Sequence, residues 1–201
     1  MYKFCLKTST WSWVKQNGVK LSKRLIGGTI YKNQIYMFEC VEPRTKRFRK
    51  ILIFDFSTNT WTKRGIISKN HQYPTSELCG SCAFSKNIGY MSGGKHLGSS
   101  SYLSDIFKID LDILLWFRVD YTLEVGIYDH CTSIVDDCYL FSFGGRRFDI
   151  DEDTTFQKIM IRPPTLYRLC LESVHRSQKE ESLSQELPIS ILDDLNLNSN
   201  K

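Results

Sequence analysis

The chain has 201 residues, 41% hydrophobic and 13% aromatic, enough to bury a core and too apolar for a disordered segment. Its net charge of +5 is uneven, because residues 175–201 hold three Lys/Arg against five Asp/Glu, leaving +7 on residues 1–174. A mildly basic body suits acidic partners, but no nucleic-acid motif stands in it and no apolar run reaches the roughly 18 residues of a membrane span.

The first residues, MYKFCLKTSTW, lack the charged and apolar regions of a signal peptide. Seven cysteines at irregular spacing argue against a disulfide framework and for a reducing compartment, cytoplasm or nucleus. Tyr2 to Leu6 alternates in polarity, and Leu6 stands five residues before Trp11. Gly27–Tyr31 and Ile35–Phe38 flank a Lys32-Asn33-Gln34 turn. Ile51–Phe56 alternates again, and Phe56 stands five residues before Trp61. Gly89–Met91 is closed by Gly93-Gly94, then Ile106–Leu111 alternates and Trp116 follows at the same step of five. His130–Ile134, a turn at Asp136-Asp137, and Tyr139–Phe143 closed by Gly144-Gly145 open a last copy, with Phe156–Ile161 as its third strand. A glycine doublet ends a strand in backbone geometry other residues resist, and the tryptophan packs one sheet on the next.

The tryptophans are 50 and 55 residues apart and the doublets 51 apart, a period that resembles the kelch repeat, in which each copy is one four-stranded blade of a β-propeller. The expectation is an all-β partial kelch propeller of about three to four blades with a short α-helical C-terminal segment. Its divisions are 1–17 (the end of an incomplete blade), 18–67 and 68–122 (blades), 123–162 (a blade lacking its outer strand) and 163–201 (a helical tail). So few blades cannot close a ring. The arc is therefore read as a truncated form or as a half that assembles with another chain.

Several clusters invite chemistry. Cys79-x-x-Cys82, with His71 and His96 in the same copy, has a metal-like spacing without the second pair a zinc site needs, and is read as core cysteine. No catalytic constellation or cofactor site stands out, so no enzyme and no cofactor are expected. Arg24 and His130 begin inner strands near the channel of a propeller, where a guanidinium suits a carboxylate. The basic run Pro43–Lys50 and acidic Asp149–Asp153 fall in equivalent loops and are read as solvated; the acidic one lacks the spaced ligands of a calcium loop.

Pro163-Pro164 end the strand pattern, and Leu166, Cys170 and Val174 then recur at i, i+4 and i+8, one apolar stripe of a helix. Thr165, Leu166, Cys170 and Val174 resemble a BC-box, the elongin C-binding helix; Leu187, Pro188, Ile191 and Leu195 resemble a cullin-2 box. GYMSGG with SDIFKIDLDILLW, DHCTSIVDDCYLFSFGG and the Pro-Pro-Thr-Leu entry are similar to kelch substrate receptors of cullin-2–elongin B/C ubiquitin ligases. That resemblance implies elongin B/C and cullin-2 as partners and binding of target C-terminal tails in the central pocket, with Arg24 and His130 as tail-binding candidates. Glu77 stands where the family pattern has an arginine. The alternative is a kelch interaction scaffold with no ligase role.

Overall fold

The alternating segments form strands in the computed structural model, which describes residues 1–21, 25–39, 47–75, 80–96, 101–147 and 155–176. Two residues of positive φ make two of the tight turns between first and second strands, Lys32 and Asn33 at 46° and 58° and Asp136 and Asp137 at 54° and 57°, and Lys86 at 54° opens a third. Such turns match the right-handed twist of the strands they join.

The first sheet is a hairpin, β1 (Tyr2–Cys5) and β2 (Thr10–Trp13). The second contains β3 (Asn17–Gly18), β4 (Leu25–Tyr31), β5 (Gln34–Glu39), β6 (Lys50–Asp55) and β7 (Thr60–Gly65), in the order β3-β7-β6-β5-β4. The third repeats it with β8 (Ile67–Ser68), β9 (Ser81–Ser85), β10 (Ile88–Ser92), β11 (Asp105–Asp110) and β12 (Leu115–Thr122), in the order β8-β12-β11-β10-β9. The fourth sheet is β13 (Tyr128–Val135), β14 (Tyr139–Arg146) and β15 (Phe156–Met160), followed by helix α1 (Leu166–Arg176). Inner strands β4, β9 and β13 stand side by side, as blades do around an axis, and the row of sheets stays open.

The four-strand expectation needs one correction. The second and third sheets each carry a fifth strand of two residues, taken from the connector of the preceding repeat and paired in parallel with the outermost strand. Asn17 and Gly18 pair with Thr60 and Trp61; Ile67 and Ser68 pair with Leu115 and Trp116. An open outer edge is a template for unwanted pairing, and the connector closes it.

The core lies between the second and third blades. Phe38, Phe48, Ile51, Ile53 and Ile66 on one side meet Met91, Phe107, Ile109 and Trp116 on the other. Trp116 is fully buried, its ring 5.4 Å from Phe38, and its indole N–H donates to the Phe48 carbonyl at 2.9 Å. Trp61 likewise donates to Gln16 Oε1 at 3.0 Å. A buried indole left unpaired would cost free energy, so both rings reach an acceptor earlier in the chain.

The chain divides into two compact units, Met1–Val135 with Leu140–Ile159, and Asp136–Tyr139 with Met160–Lys201. The first holds the blades and the second holds α1.

Candidate functional site

In the first unit the doublets adopt one geometry twice. Gly93 and Gly94 have φ of 63° and 111°, Gly144 and Gly145 of 68° and 109°. Gly93 N–H donates to Asp105 O at 3.2 Å, and Gly144 N–H donates to Thr155 O at 3.0 Å, so each doublet bonds back to the third strand or its approach. A Cβ on Gly93 would lie 2.5 Å from Ile127 O and 2.6 Å from His130 Cε1; one on Gly145 would lie 3.1 Å from His130 Cβ. The glycines make room for one histidine.

His130 is 6% exposed, with Nε2 2.9 Å from Ser92 Oγ and Nδ1 without a hydrogen-bond partner among the described residues. Burial pushes its pKa down to about 4, opposed in part by the Asp129 carboxylate, so the ring is neutral at pH 7. A tail-binding role asks for a ring at the channel surface, whereas the structure puts His130 inside the wall between the third and fourth blades. Beside it, Ser81 Oγ is 2.8 Å from Thr132 Oγ1 and accepts the Thr132 N–H at 3.0 Å, joining β9 to β13.

Cys82 packs against Gly27, and burial pushes its thiol up to about 12, the chemistry of a core residue rather than a ligand. Among the described residues no three His/Cys/Asp/Glu side chains cluster to hold a metal ion. Arg24, Glu77, Cys79, the Pro43–Lys46 part of the basic run, the whole of Asp149–Asp153, and the cullin-box residues Leu187, Pro188, Ile191 and Leu195 lie outside the described residues.

In the second unit α1 begins where the prolines end strand pairing. Ile161 and Arg162 N–H donate to the Cys138 carbonyl, and Thr165 caps the helix by accepting Arg168 N–H on Oγ1 at 3.2 Å. Arg168 bonds Asp136 at 3.2 Å and Glu172 at 3.3 Å, fixing the helix to the turn at Asp136. The rotation so set leaves Leu166 81% exposed and Cys170, Leu169 and Tyr167 exposed, while Leu171 is buried. Leu166 and Cys170 of the predicted stripe therefore share an open face; the side chain of Val174 lies outside the described residues.

Sequence reasoning missed the turn aspartates. Asp55 accepts the N–H groups of Ser57 and Thr58, and Asp110 accepts that of Asp112. Each stands six residues before its tryptophan, which is the signal that would have found them. Cys5 holds the same place before Trp11, and hydrogen bonds from Thr8 and Lys7 lower its thiol pKa. It also missed Asp112 as a tie between blades, accepting Lys32 Nζ at 2.6 Å, Tyr31 Oη at 3.0 Å and Asn87 Nδ2 at 3.0 Å.

Blades of this strand order, with glycine doublets, outer-strand tryptophans and a period near 50, define a kelch-type propeller domain. No protein-family model matches the chain. Kelch domain-containing protein 10 of Rattus norvegicus and of Homo sapiens is 28% identical over 131 residues, 62% of this chain and 31% and 28% of those proteins. The Drosophila melanogaster homolog is 26% identical over 115 residues, 52% of this chain and 19% of its own. The solved structure of YjhT superposes with a TM-score of 0.50 at 15% identity, covering 74% of this chain and 51% of that one. These likenesses support kinship with the kelch-repeat family; the chain spans less than a third of the curated relatives it matches.

Proposed function

We propose that this kelch protein-interaction domain serves as a substrate adaptor of a cullin-2–elongin B/C ubiquitin ligase, with α1 as the elongin C-binding helix. The observation that supports this is the open face of α1. A helix kept only to pack on its own chain would bury its leucines, yet Leu166 is 81% exposed on a helix that is capped and doubly ion-paired. Leu166 is the anchor, Cys170 and Val174 continue the stripe, and Leu187, Pro188, Ile191 and Leu195 contact the cullin. Target C-terminal tails enter at the inner-strand ends, where Arg24 supplies a cation and His130 positions Ser92 from within the wall. The partners set the location, cytoplasm or nucleus.

Co-purification with elongins B and C tests the reading. Leu166→Ala should weaken elongin binding by about 30- to 1,000-fold, the effect of removing a buried anchor. Pro188→Ala should spare elongin and weaken only cullin-2 recruitment. Full elongin recovery by a folded Leu166→Ala variant would leave the interaction scaffold without a ligase role, a reading favoured by the buried Leu171.

A further inference from the structure

The net charge of the first 174 residues is gathered on the outer half of the second blade and the connector that leaves it. Residues 1–174 hold 24 Lys/Arg and 17 Asp/Glu; residues 14–21 and 47–73, which supply β3, β6, β7 and β8, hold eight of the former and one of the latter. The rest of residues 1–174 carries sixteen of each, so the whole +7 falls on this rim. All eight cations are exposed, and the fold crowds most of them at one end. Phe48 is 1% exposed and plugs the core, which turns its neighbours Arg47 and Arg49 outward. Register puts Lys50 level with Gly65, Arg64 with Ile51 and Lys63 with Leu52. Val19 N–H donates to Trp61 O at 3.1 Å, which carries the chain toward Lys20 along β7. The one carboxylate, Asp55, stands at the opposite end of β6 and is held by its turn, accepting the N–H groups of Ser57 and Thr58 and Gln34 Nε2.

We propose that this rim is a docking surface for an acidic segment of a partner protein, an extended run rich in Asp and Glu. The choice of partner rests on charge complementarity and spacing. Like charges gathered on one edge repel one another, a cost that an anionic partner relieves. Neighbouring strands lie about 4.8 Å apart and alternate residues of a strand about 7 Å apart, the spacing at which an extended acidic chain presents its own carboxylates. Arg47, Arg49 and Arg64 add forked donors that grip a carboxylate through two hydrogen bonds. A single-stranded nucleic acid would ask for rings on which bases stack, whereas the Tyr73 ring already carries the Arg49 guanidinium at 5.0 Å. The neighbouring blades leave the rim open. Met1 packs on Leu52, Phe54 and Trp61 from the side of the hairpin, and Phe48, Ile51 and Ile53 meet the third blade, while the cations at the outer edge stay in solvent. The proposal is independent of α1 and of the ligase reading.

Fluorescence anisotropy of the full chain with a labelled twelve-residue peptide of alternating Glu and Ser tests it. Saturable binding is expected at low salt, weakening several-fold at high salt as the contact is screened. Arg49→Gln with Arg64→Gln should weaken binding about five- to tenfold, the loss of two charge-assisted contacts. Lys7→Gln with Lys86→Gln removes the same net charge from exposed positions off the rim and should change binding less than twofold. Unchanged far-UV circular dichroism shows that the rim variant still folds; should it not, Lys50→Gln with Lys63→Gln gives the same readout. Absence of binding at low salt overturns the proposal. Equal weakening by the rim pair and the distant pair also overturns it, since that reports the net charge of the chain rather than a surface. So does a single-stranded oligonucleotide of equal charge binding tenfold more tightly than the peptide, which would make the rim a nucleic-acid contact.

Discussion

Gly93 and Gly65 show how differently one residue type is used. A Cβ at Gly93 meets backbone and ring within 2.6 Å in a positive-φ conformation, whereas at Gly65 nothing lies within 4 Å. Gly93→Ala should cost roughly 2 kcal/mol or more and Gly65→Ala should be neutral or mildly stabilising, as chemical denaturation will report. His130 carries a pH signature. Its folded pKa of about 4 lies below the ordinary 6.5, so the unfolded chain binds the extra proton first and stability falls as pH drops from about 6.5 to about 4. The span corresponds to at most about 3 kcal/mol, and His130→Asn should flatten that limb of the pH–stability curve relative to wild type. The doublets themselves were legible because only glycine accepts φ near 110°. What they surround was not, since a histidine at a strand start reads identically whether it faces the channel or the wall. Asp55 and Asp110 stayed hidden for another reason: a turn-closing aspartate and a solvated one look alike without their backbone donors.

At the scale of elements, the outer strands β7 and β12 are each held by two contacts to chain that precedes them, a connector strand and an indole hydrogen bond. Trp116→Phe keeps most of the ring and loses the donor to Phe48, stranding a buried carbonyl; a loss of about 1–3 kcal/mol in urea unfolding is expected. The fifth strands were invisible in the sequence because Asn17-Gly18 and Ile67-Ser68 are too short to show a period. Helix α1 was legible from Pro163-Pro164 and the fourfold spacing after them. Its buried residue was not, because Arg168 ties the helix to Asp136, in a turn about thirty residues earlier. Thr165→Ala removes the cap and should lower helix stability by about 1 kcal/mol, read as faster amide exchange in the first turn of α1.

Across the whole first unit the blades are not joined equally. The second and third share one apolar core, while the third and fourth meet through Ser81, Thr132, Ser92 and His130 as well as apolar contacts. The second and third blades should therefore lose amide protection together under native-state hydrogen exchange. Phe38→Ala should lower both by a common amount of about 3–5 kcal/mol. A difference between β5 and β11 in that shift would show that the blades open independently. The number of repeats and the Trp and glycine landmarks could be read from the sequence, but this inequality of joints could not, because it is set by which faces of neighbouring sheets oppose one another.

The parallel connector strands bear on how the chain is made. Translation delivers residues in order, and β3 and β8 leave the ribosome before β7 and β12, the strands they close. The acceptors for Trp61 and Trp116, at Gln16 and Phe48, also emerge ahead of their donors. The second and third blades thus finish against lids already synthesised, and during elongation neither waits with a bare outer edge for codons still to be read.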